Sequence, residues 1–195
     1  SETWDLSKFN AAIREGRLFG TNGPLIPKFR VNGARMGDRV VAPRGRVEIE
    51  FEVVAAPWVP VDEVRLVVNG EIERVFPLDP LTIRGSRLAK RVILTLTRDA
   101  AITIEAGASL DTDAVTWRAE HPGPYAEDIA PRFVPTAFTN PIYVDFDRDG
   151  RFDLPGPVSA GGGSTIGRTG LLVAGAGMVV LWLWIGQRRM REQIR

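Results

Sequence analysis

Arg46-Val47-Glu48-Ile49-Glu50-Phe51-Glu52-Val53-Val54 alternates charged and apolar side chains almost without interruption. Successive side chains of an extended strand point to opposite faces, so Val47, Ile49, Phe51 and Val53 share one face and the glutamates share the other. The stretch reads as a strand laid between a core and water. Outward from it, Leu25 to Val31, Glu63 to Val68, Glu71 to Phe76, Leu88 to Thr97, Ala101 to Ala106 and Asn140 to Phe146 also read as strands. Asn69-Gly70 separates two of them with the pair that type I′ hairpins favour. Residues 5 to 15 carry a helical pattern, with Asp5 or Ser7 as cap, apolar Leu6, Phe9 and Ile13, and Gly16 as terminator. Short strands divided by Pro- and Gly-rich turns, without repeated helical crossovers, predict a mainly β fold: an antiparallel β-sandwich with a short N-terminal helix. Trp58 and Trp117 are expected in core or edge packing.

The last part of the chain follows a different rule. From Thr169 to Gln187 there is no charge, and Leu171, Leu172, Val173, Val179, Val180, Leu181, Leu183 and Ile185 supply apolar bulk. About 18 helical residues span roughly 27 Å, close to a bilayer core, so one transmembrane helix is expected over 169–187. Arg168 precedes the run, while Arg188, Arg189, Arg191 and Arg195 follow it, which places the C-terminus in the cytoplasm and the larger domain outside. Trp182 and Trp184 then sit toward the cytoplasmic interface. The expected organisation is an exported domain over 1–154, a Pro/Gly-rich linker over 155–168, the span, and a basic tail over 188–195. The expected location is the inner membrane of a bacterium, crossed once, with the domain periplasmic or extracellular. The sequence starts at Ser1 rather than Met, from which a removed signal or a longer upstream region is expected.

The 195 residues, 44% of them hydrophobic, suffice for one ordinary domain and a short segment of another kind. The four C-terminal arginines against Glu192 give +3 to the last eight residues, leaving −2 for the rest of a chain of net charge +1. That balance argues against nucleic acid as a partner. Cysteine is absent, which excludes disulfides and thiolate metal sites.

Asp145, Asp147 and Asp149, followed by Gly150 and Asp153, form D-x-D-x-D-G-x-x-D, the first part of a calcium loop. Alternating carboxylates on a tight turn can converge on one hard cation. The same spacing also suits an acidic turn whose side chains cap backbone amides. Gly156 stands where an EF-hand has its bidentate Glu. His121 is the one histidine, too few for a hydrolytic metal centre, and it reads as a loop residue. No G-x-S-x-G nucleophile context accompanies it.

Two stretches, Gly16-Arg17-Leu18-Phe19-Gly20-Thr21-Asn22-Gly23-Pro24-Leu25 and Ala137-Phe138-Thr139-Asn140-Pro141-Ile142-Tyr143-Val144-Asp145, resemble the region that follows the catalytic PHP domain in CehA/McbA-type metallohydrolases. The resemblance covers about residues 10–155 and implies a β-sandwich. The metal ligands of that family lie in its PHP part, so the resemblance carries over no catalytic residue. Three functional expectations follow: a non-catalytic, membrane-anchored accessory subunit docked on an integral membrane complex of respiratory or photosynthetic type; the anchored C-terminal module of a PHP-type metallohydrolase; and a carbohydrate- or polymer-binding sandwich at the cell surface, which needs exposed aromatics aligned on one sheet, whereas Trp4, Trp58 and Trp117 share no common spacing.

Overall fold

The computed structural model describes residues 4–79 and 85–153. The expected linker, span and basic tail, with Leu171, Leu172, Val180, Leu181, Trp182 and Trp184, lie outside them. Among the described residues no helix is long and apolar enough to cross a membrane.

The helix expected first is α1, Leu6–Arg14. Asp5 caps it, its carboxylate accepting from the amides of Ser7 and Lys8 and from the Ser7 hydroxyl. Gly16 ends it with φ 69°, and the Arg17 amide reaches back to the Ala12 carbonyl at 2.8 Å. A short anchor fixes the helix to the domain: Asn140 Nδ2 donates to Gly16 O at 3.1 Å, and Gly37 (φ 83°) packs so closely that a Cβ there would lie 1.7 Å from Glu15 O.

Those same bonds from Ser7 and Lys8 hold the Asp5 carboxyl below its ordinary value, the Ser7 hydroxyl contributing most. A depressed carboxyl stabilises the fold above its unfolded pKa, and that stabilisation is lost as pH falls through the folded one. Acidification is therefore expected to fray α1 from its first turn, read as faster amide exchange at Ser7 and Lys8 after allowing for the intrinsic pH dependence of exchange. Protection unchanged at low pH would contradict it.

The strands are β1 (Phe19–Thr21), β2 (Leu25–Val31), β3 (Ala34–Arg35), β4 (Arg39–Val41), β5 (Arg46–Val54), β6 (Glu63–Val68), β7 (Glu71–Pro77), β8 (Ser86–Thr95), β9 (Ala100–Gly107), β10 (Thr136–Thr139) and β11 (Ile142–Asp145). They form two sheets. One runs β3-β2-β5-β8; the other runs β1-β10-β9-β11-β4, with the β6–β7 hairpin added along β9. In β5 the alternation becomes geometry: Val47, Ile49, Phe51 and Val53 are buried, while the glutamates between them face outward. Each such buried side chain contributes about 1.5–3 kcal/mol. On the outer face Glu50 sits between Lys28, at 2.8 Å, and Arg91, and the bond from Lys28 is the main cause that lowers its carboxyl pKa.

One core cluster draws on both sheets, with Phe29, Ile49 and Phe51 from the first and Leu66, Ile102, Ile104 and Ile142 from the second. The chain is thus mainly β, in two sheets with few helices, as a β-sandwich would be. The pairing departs from the all-antiparallel expectation at one place, because β11 runs parallel to β4. The hairpin turn has Asn69 and Gly70 both at positive φ (53° and 84°), as a type I′ turn requires. Pro27, which has no amide to donate, falls within the register shift between Leu25 and Lys28 where β2 meets β5. The loop after β9 holds α2 (Ala114–Glu120) and a π-type turn over Tyr125–Ile129, neither evident from periodicity.

Candidate functional site

The acidic loop continues from β11. Asp145 ends that strand buried, while Asp147, Asp149 and Asp153 are exposed. Asp145 and Asp147 meet Asp99, from the turn between β8 and β9, with one ligand atom of each lying within 4.8 Å of the others. Asp149 and Asp153 stand outside this group. The Asp149 carboxylate accepts the Arg151 amide, and Asp153 offers its backbone amide to Asp99 Oδ2 at 3.0 Å. Asp145 accepts the Arg148 amide at 2.7 Å and the Gly150 amide at 3.1 Å; Asp99 Oδ1 accepts the Phe146 amide at 2.8 Å. The turn this creates puts Arg148 (φ 67°) and Gly150 (φ 74°) in the left-handed region. Amide capping is thus realised by Asp99 and Asp145 together. A carboxylate offers about four lone-pair sites, so these bonds leave acceptor capacity on all three residues. Nothing local in the sequence marks Asp99, because the strand pairing of β9 with β11 brings it there.

A second polar cluster lies around α2. Trp117 is fully buried, and its Nε1 donates to Asp62 Oδ2 at 2.5 Å. The His121 ring stacks on it with centroids 4.5 Å apart, and Tyr125 meets it edge-on at 6.4 Å. His121 Nδ1 lies 2.9 Å from the Trp117 carbonyl, which can only accept, so that nitrogen carries a proton. The other ring nitrogen, Nε2, faces Asp62 Oδ1 at 3.2 Å, an oxygen that accepts no hydrogen bond of good geometry. Both nitrogens are turned to the protein, as a structural histidine's would be. The Tyr125 hydroxyl donates to Asn22 O at 3.2 Å, and burial pushes it up to about 12. Trp58, expected in core or edge packing, is instead 53% exposed in the loop after β5.

The two stretches on which the family resemblance rests are neighbours in space. Phe19–Thr21 pairs antiparallel with Ala137–Thr139. The Asn22 side chain bridges across, accepting from the Thr136 amide at 2.7 Å and donating to the Val134 carbonyl at 3.0 Å. Thr21 Oγ1 accepts the Gly23 amide and donates to the Pro24 carbonyl. Gly20 leaves room for the Phe138 ring, since a Cβ there would lie 2.5 Å from it and push the ring aside. These residues clasp the first strand to the end of the domain. No protein-family model, no curated protein and no solved structure matches the chain.

Proposed function

We propose that the chain is a non-catalytic accessory subunit, held in a bacterial inner membrane by one span over 169–187, whose exported β-sandwich docks on an integral membrane complex of respiratory or photosynthetic type. The supporting observation is where the reactive groups are committed. His121 and Asp62 face each other and Trp117, while Asp99 and Asp145 cap backbone amides. Meanwhile large apolar side chains such as Trp58, Val115, Ile129 and Phe133 stand exposed. Exposed aromatic and aliphatic side chains of this size can serve as contact points for a partner. Purification in mild detergent is expected to bring the chain out with integral membrane proteins in fixed stoichiometry. Recovery as a free monomer would count against docking.

A second reading, the anchored module of a PHP-type metallohydrolase, rests on the sequence resemblance of the two stretches that pair here. The coding sequence upstream of Ser1 separates the two. A histidine-rich PHP region there favours the enzyme, and a signal peptide alone favours the subunit.

In either case the calcium reading takes Asp99, Asp145 and Asp147 as ligands, an all-oxygen set that suits a hard cation. Calcium is then expected to raise the melting temperature over that in chelator, and Asp99→Asn to remove the increment. A flat scan would leave amide capping as the role of these residues.

A further inference from the structure

Helix α1 has no buried residue. Leu6, Phe9 and Ile13 are 55%, 53% and 48% exposed, and Trp4, just before the cap, is 73% exposed with its ring 6.3 Å from that of Phe9. At 100° per residue Leu6, Phe9 and Ile13 fall within an arc of about 60°, with Lys8 and Arg14 on either side of it. Neither cation makes an ion pair among the described residues, whereas Arg17 beyond the helix is bridged to Glu15 at 2.9 Å. Nine residues are too few for a stable helix in water by propensity alone, yet this one is capped at both ends and fixed to the domain through Gly16. The result is a pre-formed helix that presents an aromatic-rich apolar stripe flanked by two cations without an ion pair among the described residues, the pattern of a helix lying in a membrane interface.

The length of chain beyond the described domain indicates what covers it. Fifteen residues separate Asp153 from Thr169, and even fully extended they reach at most about 50 Å. A domain of this size has a radius of gyration of about 15 Å. If the span is inserted, the domain stays within roughly its own diameter of the bilayer, where a weak interfacial contact is reinforced by high effective concentration. We infer that the Trp4, Leu6, Phe9 and Ile13 face of α1 rests in the outer surface of the bilayer that carries the chain, with Lys8 and Arg14 toward anionic headgroups. The inference depends on the anchored reading proposed above.

The chain has no cysteine, so single labels can be placed on the full chain as Ile13→Cys on the stripe and Ala11→Cys on the opposite face, both exposed positions. The full chain is reconstituted into phosphatidylcholine vesicles with a quarter phosphatidylglycerol, floated on a gradient, and read by spin-label accessibility. The Ile13→Cys label is expected to collide several-fold more with oxygen than with a water-soluble nickel chelate, and the Ala11→Cys label to show the reverse. Vesicles that float with protein while both labels stay open to the nickel chelate would overturn the inference and leave the anchor standing. A stripe label shielded from both reagents would mean that protein, a second copy or another chain, covers the stripe, and would also overturn it. Failure of the chain to float would overturn the anchored reading itself, and this inference with it.

Discussion

Arg65→Ala is expected to destabilise the domain by about 3–5 kcal/mol, the loss typical of removing one partner from a buried ion pair. Arg65 has 3% side-chain exposure and lies between two acidic residues, with Nη1 at 2.5 Å from Glu63 and Nε at 3.1 Å from Glu105. It also donates from Nη1 to the Ala108 carbonyl at 3.1 Å, tying β6 to the end of β9. Glu63 and Glu105 keep only 13% and 10% exposure, so truncation leaves two carboxylates without their shared cation and with little water to solvate them. Chemical and thermal denaturation, monitored by near-ultraviolet circular dichroism, measure the effect. The melting temperature should fall by roughly 10 °C, at about 2–4 °C per kcal/mol. The triple variant E63Q/R65M/E105Q separates charge from packing and should recover much of the loss. A single-variant cost under about 1 kcal/mol would place the trio with ordinary surface ion pairs.

Trp117→Ala is expected to cost about 3–5 kcal/mol, within the range for deleting a large aromatic from a core. The side chain is completely buried, and His121, Tyr125 and Asp62 all pack or bond to it. Trp117→Phe keeps most of the apolar contact and removes the Nε1 donor. Asp62 Oδ2 would retain the Ser109 amide at 3.0 Å, while Oδ1 already lacks a well-formed bond. That variant should cost about 1–3 kcal/mol, the penalty for leaving a buried acceptor short of a partner. Equal losses in the two variants would show that the hydrogen bond, and not the packing, holds the loop.

Legibility varied with how local each feature is. The glutamate alternation gave β5 its bounds, and Leu25–Val31 and Glu63–Val68 likewise match their strands. Residues 5–15 contain α1 with the expected cap and terminator, because capping is a matter of neighbouring residues. The acidic spacing identified the loop after β11, yet only two of its four aspartates join the cluster and the third member, Asp99, comes from elsewhere. Asp62 was equally invisible: nothing around it in sequence distinguishes it from a surface aspartate, and α2 supplies its partner.

By itself the sequence determined the elements whose signals are local: the long amphipathic strands, the Asn69-Gly70 turn, and the capped helix α1. The charge-free run over 169–187 is equally plain as a sequence feature. The tertiary structure alone decided how the second sheet closes. Its strands β1, β4 and β10 have only three or four residues each, too short to show a period, and exist because distant chain segments offer them hydrogen-bonding edges. The parallel pairing of β11 with β4 and the meeting of Asp99 with Asp145 follow from that closure. Backbone groups are satisfied wherever partners lie in space, and that placement depends on the whole chain.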